Sequence, residues 1–282
     1  MNRYSVLLIE TLSNLHAGSG ETHYGIVDNL VQRNPATHIP VIHSSGIKGA
    51  LNDYFKAIPN YSKKMEKLFG KDGQDSEAFP GRLIFFEANL LTLPLRSNRK
   101  VYYNATSPFV LKEFISHLKD FRDKSYKTDL INNWIDTFTF NEQTIFYTFD
   151  KIPNPEIEDF RSDRKGAEKD DVKKEIKKLL RLDLEDIALF NDDYFKKICE
   201  RKIPVIARNK IGDDGQSENL FYEEVLPRKS KLYFILGEEN NILGKDYDEF
   251  IAKLVDENTI VQFGGNYSIG YGFCKIFQLQ LS

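Results

Sequence analysis

Residues 3–12, RYSVLLIETL, set polar against apolar positions and are rich in β-formers, which predicts a first strand. Residues 16–25, HAGSGETHYG, read as turn chemistry, and 26–33 look extended. Ser44 or Ser45 offers an N-cap for a helix running to about Ala57; Pro59 stops it, and a short helix over 62–69 follows. Residues 82–95, RLIFFEANLLTLPL, predict one apolar strand, extended by 102–104. Ser107-Pro108 opens a helix to about Phe121, with proline in the favoured first turn. A strand is expected over 139–149, then a mobile, densely charged loop leading into helix over 153–178, with helical periodicity to about Cys199. Next come two alternating strands around Gly212-Asp213-Asp214-Gly215, and a third strand after them. A helix over 247–255, a strand over 259–263, the glycine-rich GGNYSIGYG of 264–272 and a last strand over 273–281 complete the chain. Strands and helices interleave, with too many hairpin signals for a doubly wound sheet, so the pattern is α+β. No repeat at solenoid periods is present.

Composition narrows this only a little. The 282 residues suffice for one large domain or two modest ones, and 41% hydrophobic with 29% charged residues is globular. No apolar run reaches the length of a bilayer span, and the N-terminus reads as a strand, not a signal peptide. Cys199 and Cys274 lie far apart and give neither a CxxC nor a disulfide framework. The expectation is a soluble protein of a reducing compartment, the cytoplasm, without a membrane partner. A net charge of −3 excludes a protein that is basic all over, but not a local basic stripe for nucleic acid.

Candidate chemistry concentrates in residues 25–51, GIVDNLVQRNPATHIPVIHSSGIKGAL, which bring together Asp28, Arg33, a helix start and Lys48. The first amides of a helix point outward unsatisfied, and a lysine nearby adds charge, so Ser44, Ser45 and Lys48 outline an anion site. The plainer alternative is an N-cap with a solvated lysine. Ser45 and Lys48 also fit the S-x-x-K of serine acyl-transfer enzymes, but the companion S-D-N and K-T-G are absent. Neither glycine-rich stretch continues into a P-loop or a dinucleotide fingerprint. His16, His23, His38, His43 and His117 lack the spacing of a tight zinc site. Asp28 is a general base or magnesium ligand on one reading and a turn cap on the other. His16 lies where a loop can bring it to Asp28, or is a polar surface residue. Glu223 and Glu224 read as solvated charges at the end of a hairpin strand.

Several of these stretches together resemble one family. HAGSG and the 25–51 run are similar to the N-terminal motif of the RAMP proteins of type III CRISPR effector complexes. RLIFFEANLLTLPLRSNRKVYYNATSPFVLKEF resembles the continuation in the backbone subunit of the type III-B (Cmr) complex. IPVIARNKIGDDGQSENLFYEEVLP looks like its thumb hairpin and VQFGGNYSIGYGFCKI like its C-terminal glycine-rich loop. The likeness spans nearly the whole chain in order and is thinnest over about 120–200.

The resemblance implies a single RAMP domain over 1–282: an RRM-like (ferredoxin-like) palm, an inserted helical and charged fingers region over about 107–200, and a protruding thumb hairpin over about 203–227. It implies copies stacked head to tail along a guide crRNA, within a complex of other Cmr subunits. Complementary target RNA would be cut at regular intervals by 2′-hydroxyl attack, with a divalent metal, Mg2+ or Mn2+, at Asp28. His16 and Glu223 match the family positions expected to assist Asp28. RNA contacts are expected from Arg33, Ser44, Ser45, Lys48, Arg96 and the loop glycines Gly264, Gly265, Gly270 and Gly272. The chain departs from the family pattern in places: His43-Ser44 replaces Pro-Gly, Gly46 the second serine, Ile47 leucine, Asn34 an acid, His38 a glycine and Asn52 an arginine. A non-cleaving guide-RNA scaffold stays open, as does a stand-alone guide-processing ribonuclease of the same superfamily, which the long hairpin and the segment around Arg96 disfavour.

Overall fold

A computed structural model describes residues 2–20, 26–71, 78–121, 126–162, 165–166, 169–211 and 217–279. The chain divides into two compact units, Met1–Asn89 with Lys202–Gln278 and Leu90–Arg201 with Leu279–Ser282.

In the first unit the strand Arg3–Thr11 lies between Lys231–Glu238 and Phe273–Gln278, antiparallel to both. Leu83–Phe85 pairs antiparallel with the far side of Lys231–Glu238. Taken with the helices Ser44–Lys56 and Lys245–Leu254, these four strands follow one another along the chain as β-α-β-β-α-β, an order compatible with the ferredoxin-like, RRM-type palm that was expected. Every residue of Lys231–Glu238 is buried, as its nearly unbroken apolar run requires of a central strand. The helix Ser44–Lys56 buries Ile47, Leu51 and Phe55, spaced four apart on one stripe. Phe55 stacks on Phe250 of the second helix with ring centroids 4.3 Å apart, joining both helices in one core.

The helix Ser44–Lys56 begins one residue earlier than a Ser44 cap would make it, and two earlier than a Ser45 cap would. His43 is the N-cap and provides no side-chain hydrogen bond to the first turn. Ser44, Ser45 and Gly46 are exposed there, and no acidic residue occupies that turn.

In the second unit Tyr102–Thr106 runs antiparallel to the end of Ala88–Arg96 and parallel to Ile187–Phe190, which pairs antiparallel with Phe146–Thr148. Ser107 caps Pro108–Asp120 as expected, its hydroxyl accepting from the Val110 amide at 3.4 Å. Several expectations fail in this region. The helix Thr128–Ile135 is additional, and the strand of 139–149 is confined to Phe146–Thr148. Helical periodicity to Cys199 is interrupted by the strand Ile187–Phe190, whose four residues are all buried. A fully buried strand needs no polar alternation, so its apolar run is indistinguishable by pattern from a helix face. The part expected as a helical insertion therefore carries strands as well as helices. Likewise 82–95 is two strands, Leu83–Phe85 and Ala88–Arg96. The loop of 153–169 contains the short pair Glu156–Ile157 and Phe160–Arg161. Among the described residues no helix is long and apolar enough to cross a membrane.

Candidate functional site at the hairpin base

The hairpin pairs Val205–Ile211 with Ser217–Glu224; the turn predicted at 212–215 lies outside the described residues. Its second strand ends in Tyr222, Glu223 and Glu224, and the chain around Asp28 docks on that end. The amides of Asp28 and Asn29 both donate to the Tyr222 carbonyl at 3.1 Å, and the Glu224 amide donates to the Asn29 carbonyl at 2.9 Å. The Tyr222 amide donates to Asp28 Oδ2 at 2.8 Å. Asp28 is half-buried, with one carboxylate oxygen committed to holding its own segment and Oδ1 outside that bond.

Glu223 and Glu224 are not solvated edge charges: they are 3% and 5% exposed. A carboxylate leaves water at a cost of several kcal/mol unless donors replace the lost hydration, and both glutamates have such donors. Both Glu223 oxygens accept from Asn266 Nδ2 at 3.0 Å, and Oε2 also accepts from Arg208 Nη1 at 3.2 Å. Glu224 is held by the Arg33 guanidinium in a two-pronged bond of 2.8 and 3.0 Å, and by the Val31 amide at 3.2 Å.

His16 is 7% exposed rather than a surface residue. Its Nδ1 lies 2.7 Å from the Glu224 carbonyl oxygen, which only accepts, so Nδ1 carries the proton. Nε2 then faces Glu223 Oε1 at 3.6 Å and gains an ion pair there when the ring is protonated. The expected His16–Asp28 approach is thus replaced by a His16–Glu223 approach, with Asp28 reached through Tyr222.

Arg33 is only 15% exposed at its side chain and is turned onto Glu224, so its charge is spent inside the protein. Lys48 is exposed and makes no ion pair among the described residues, beside the uncapped helix start. Arg96, in the second unit, is 77% exposed at its side chain and pairs with Glu158 at 2.9 Å. The four loop glycines divide into two kinds. Gly264 (φ 77°), Gly270 (φ 83°) and Gly272 (φ 78°) all sit in the left-handed region, but only at two of them would a Cβ collide, with the His16 carbonyl at Gly264 and the Phe263 carbonyl at Gly272. Gly265 and Gly270 face open space, with nothing within 4 Å of a Cβ.

Arg208 and Asn266 were legible in sequence only as members of the hairpin and of the glycine-rich stretch. A polar residue between glycines, able to adopt φ 65°, was the available signal for Asn266.

A divalent ion held by protein alone does not fit this site. Among the described residues no group of three or more His, Cys, Asp or Glu side chains could hold a metal, and both glutamates are satisfied by Arg208, Asn266 and Arg33. Asp28 Oδ1 offers a single oxygen ligand, enough only for a hydrated ion that takes other ligands from a bound phosphate.

The RAMP superfamily model matches residues 8–275. The CRISPR system Cmr endoribonuclease Cmr4 of Pyrococcus furiosus is 30% identical over 283 residues, covering 94% of this chain and 92% of that protein. A chain of the type III-B Cmr-beta complex bound to cognate target RNA shares the fold with a TM-score of 0.78 at 20% identity, covering 98% of this chain and 97% of that one. Oligomeric Cmr4 from Pyrococcus furiosus superposes with a TM-score of 0.71 at 24% identity, covering 99% of this chain and all of the other, 100%.

Proposed function

The chain belongs to the RAMP superfamily, and from that premise we propose that it is the repeating backbone subunit of a type III-B CRISPR effector complex. It binds guide crRNA, stacks with further copies and other Cmr subunits, and cuts complementary target RNA at regular intervals. One observation carries this reading: the near full-length, 30% identical match to a Cmr endoribonuclease.

The residues allot themselves two tasks. The exposed amides of the first helical turn and Lys48 take guide phosphates, a contact that carries no base information and suits any guide. Asp28 serves the cut. In a splayed target nucleotide the 2′-oxygen attacks the adjacent phosphorus as the bond to the 5′-oxygen breaks, and that oxygen takes a proton from water, giving a 2′,3′-cyclic phosphate and a 5′-hydroxyl. The proton lost by the 2′-hydroxyl needs an acceptor, and Asp28 Oδ1 is one while Oδ2 stays on the Tyr222 amide. Because that amide belongs to the hairpin, the carboxylate moves with the element that would interrupt the guide–target duplex. Where a Mg2+ or Mn2+ ion is bound, Asp28 Oδ1 would hold it instead, water would take the 2′-hydroxyl proton, and the ion would supply charge against that developing at phosphorus.

A second reading, the non-cleaving scaffold, is favoured by the same Tyr222 amide bond, since a turn-capping aspartate would make it too. Asparagine keeps an acceptor for that amide and removes the base, so Asp28→Asn separates the two. On the assembled complex with labelled complementary RNA, with and without Mg2+, Asp28→Asn should lower cutting by at least about a hundredfold. Guide and target binding should stay near wild type, and a target with 2′-deoxy residues at the cut positions should resist the wild type. Regular cutting by an assembled Asp28→Asn complex would reject the catalytic role and leave Asp28 as a turn cap.

A further inference from the structure

We propose that Asn266 and Arg208 are positioning residues for the Asp28 site, acting through Glu223. The proposal rests on the reading that Asp28 serves RNA cleavage, and it gives the glycine-rich loop a task beyond contact with RNA.

Glu223 is where three separate pieces of chain meet. Asn266, from the glycine-rich loop, donates to both carboxylate oxygens at 3.0 Å. Arg208, from the facing hairpin strand, donates at 3.2 Å, one diagonal step along the register that pairs Ile206 with Glu223 and Arg208 with Phe221. His16, from the turn after the first strand, faces the same carboxylate at 3.6 Å. The loop is tied to that turn a second time by the Gly265 amide, which donates to the His16 carbonyl at 3.0 Å.

A structural junction alone would be cheaper with apolar side chains, because a buried carboxylate costs free energy unless its donors are held in place. What the polar junction adds is geometry. Glu223 follows Tyr222 directly, and the Tyr222 amide holds Asp28 at 2.8 Å. Releasing Glu223 frees the end of the strand that carries this amide, and with it the direction of Asp28 Oδ1. Asn266 touches neither Asp28 nor any reacting atom in this arrangement; it sets where they stand.

Exchanging donor and acceptor across the Asn266–Glu223 contact tests this. Asn266→Asp sets two carboxylates against each other and should lower kcat for target cutting by about a hundredfold, the effect of a displacement near 1 Å, with KM for target little changed. Glu223→Gln should lose activity to a similar degree. The double variant Glu223→Gln, Asn266→Asp restores one donor and one acceptor in the reverse sense and keeps one negative charge for Arg208; it should recover to within about tenfold of wild type. Arg208→Gln should fall between wild type and Asn266→Asp. Cutting by Asn266→Asp at the wild-type rate overturns the proposal. So does a folded double variant as inactive as Glu223→Gln, since the Glu223 carboxylate would then take part in the chemistry itself. Hydrogen exchange of the Tyr222 amide gives a readout that needs no activity: it should quicken in Asn266→Asp and slow again in the double variant. If the wild-type complex does not cut RNA, the parent reading falls, and unchanged exchange at Tyr222 still overturns this one.

Discussion

Arg33 and Lys48 carry the same charge in one stretch of chain, and the fold gives them different duties. The Arg33 guanidinium donates to the buried Glu224 and to the Val31 carbonyl at 3.2 Å. Arg33→Ala therefore leaves a buried carboxylate without its counter-charge and should cost about 3 kcal/mol of stability, read as a lower denaturant midpoint. Lys48 stands exposed beside helix amides with no side-chain cap. Lys48→Ala should leave the midpoint unchanged and weaken guide binding equally for any guide sequence. Its salt slope should fall by about one unit or less. Unchanged affinity and slope would place Lys48 on a merely solvated face. Asn34 and His38 show how residues that differ from the family pattern are accommodated. Asn34 Oδ1 accepts from the Ala36 and Thr37 amides at 3.0 and 3.2 Å, as an aspartate there would, and His38 takes the left-handed φ of 60° that a glycine adopts freely.

At the scale of elements, the glycine-rich loop is a splint between the last strand and the turn at His16. The Gln262 side-chain amide donates within it to the Gly264 carbonyl at 3.0 Å, and the Gly272 amide donates to the Asn14 carbonyl at 2.7 Å. The contrast between Gly264 and Gly265 makes the loop testable. Gly264→Ala forces a methyl group into the His16 carbonyl at a positive φ and should cost about 2–4 kcal/mol. Gly265→Ala meets nothing within 4 Å and should change stability by less than about 0.5 kcal/mol. Thermal melts of the two variants check the pair. A loss of RNA affinity in Gly265→Ala at unchanged melting temperature would mark the close approach of RNA backbone to that face.

For the whole molecule, the modest net charge of −3 directs attention to local surfaces. Around the hairpin, Ile26 is 88% exposed, Leu220 54%, Val205 43% and Tyr222 36%. Apolar side chains gathered on the hairpin and on the segment docked at its base ask for a cover, and a second copy supplies it when the contact is heterologous and repeats. The protein should therefore associate head to tail into species of increasing mass as concentration rises, with a guide RNA limiting their length. Mass measurement across a concentration series, with and without RNA, checks this. A monomer at every concentration, or a closed symmetric dimer alone, would count against it.

Local pattern sufficed wherever neighbours in sequence decide the outcome. The Ser107-Pro108 helix start, the stripe of Ile47, Leu51 and Phe55, and the apolar run of Lys231–Glu238 each follow from spacing and side-chain type, and so did the α+β class. Asp28 and Lys48 were legible as candidate chemistry through the order of residues around them, and Asn266 and Arg208 were not. Ile187–Phe190 looked helical because the partners that make it a strand, Tyr102–Thr106 and Phe146–Thr148, lie some forty or more residues away in the chain. Glu223 and Glu224 looked solvated for the same reason. A glutamate carries no mark of its own burial, and what keeps these two out of water is Asn266, Arg208, His16 and Arg33, most of them brought from distant segments. Whether a charge faces water or a partner depends on desolvation against pairing, and only the folded chain sets that balance.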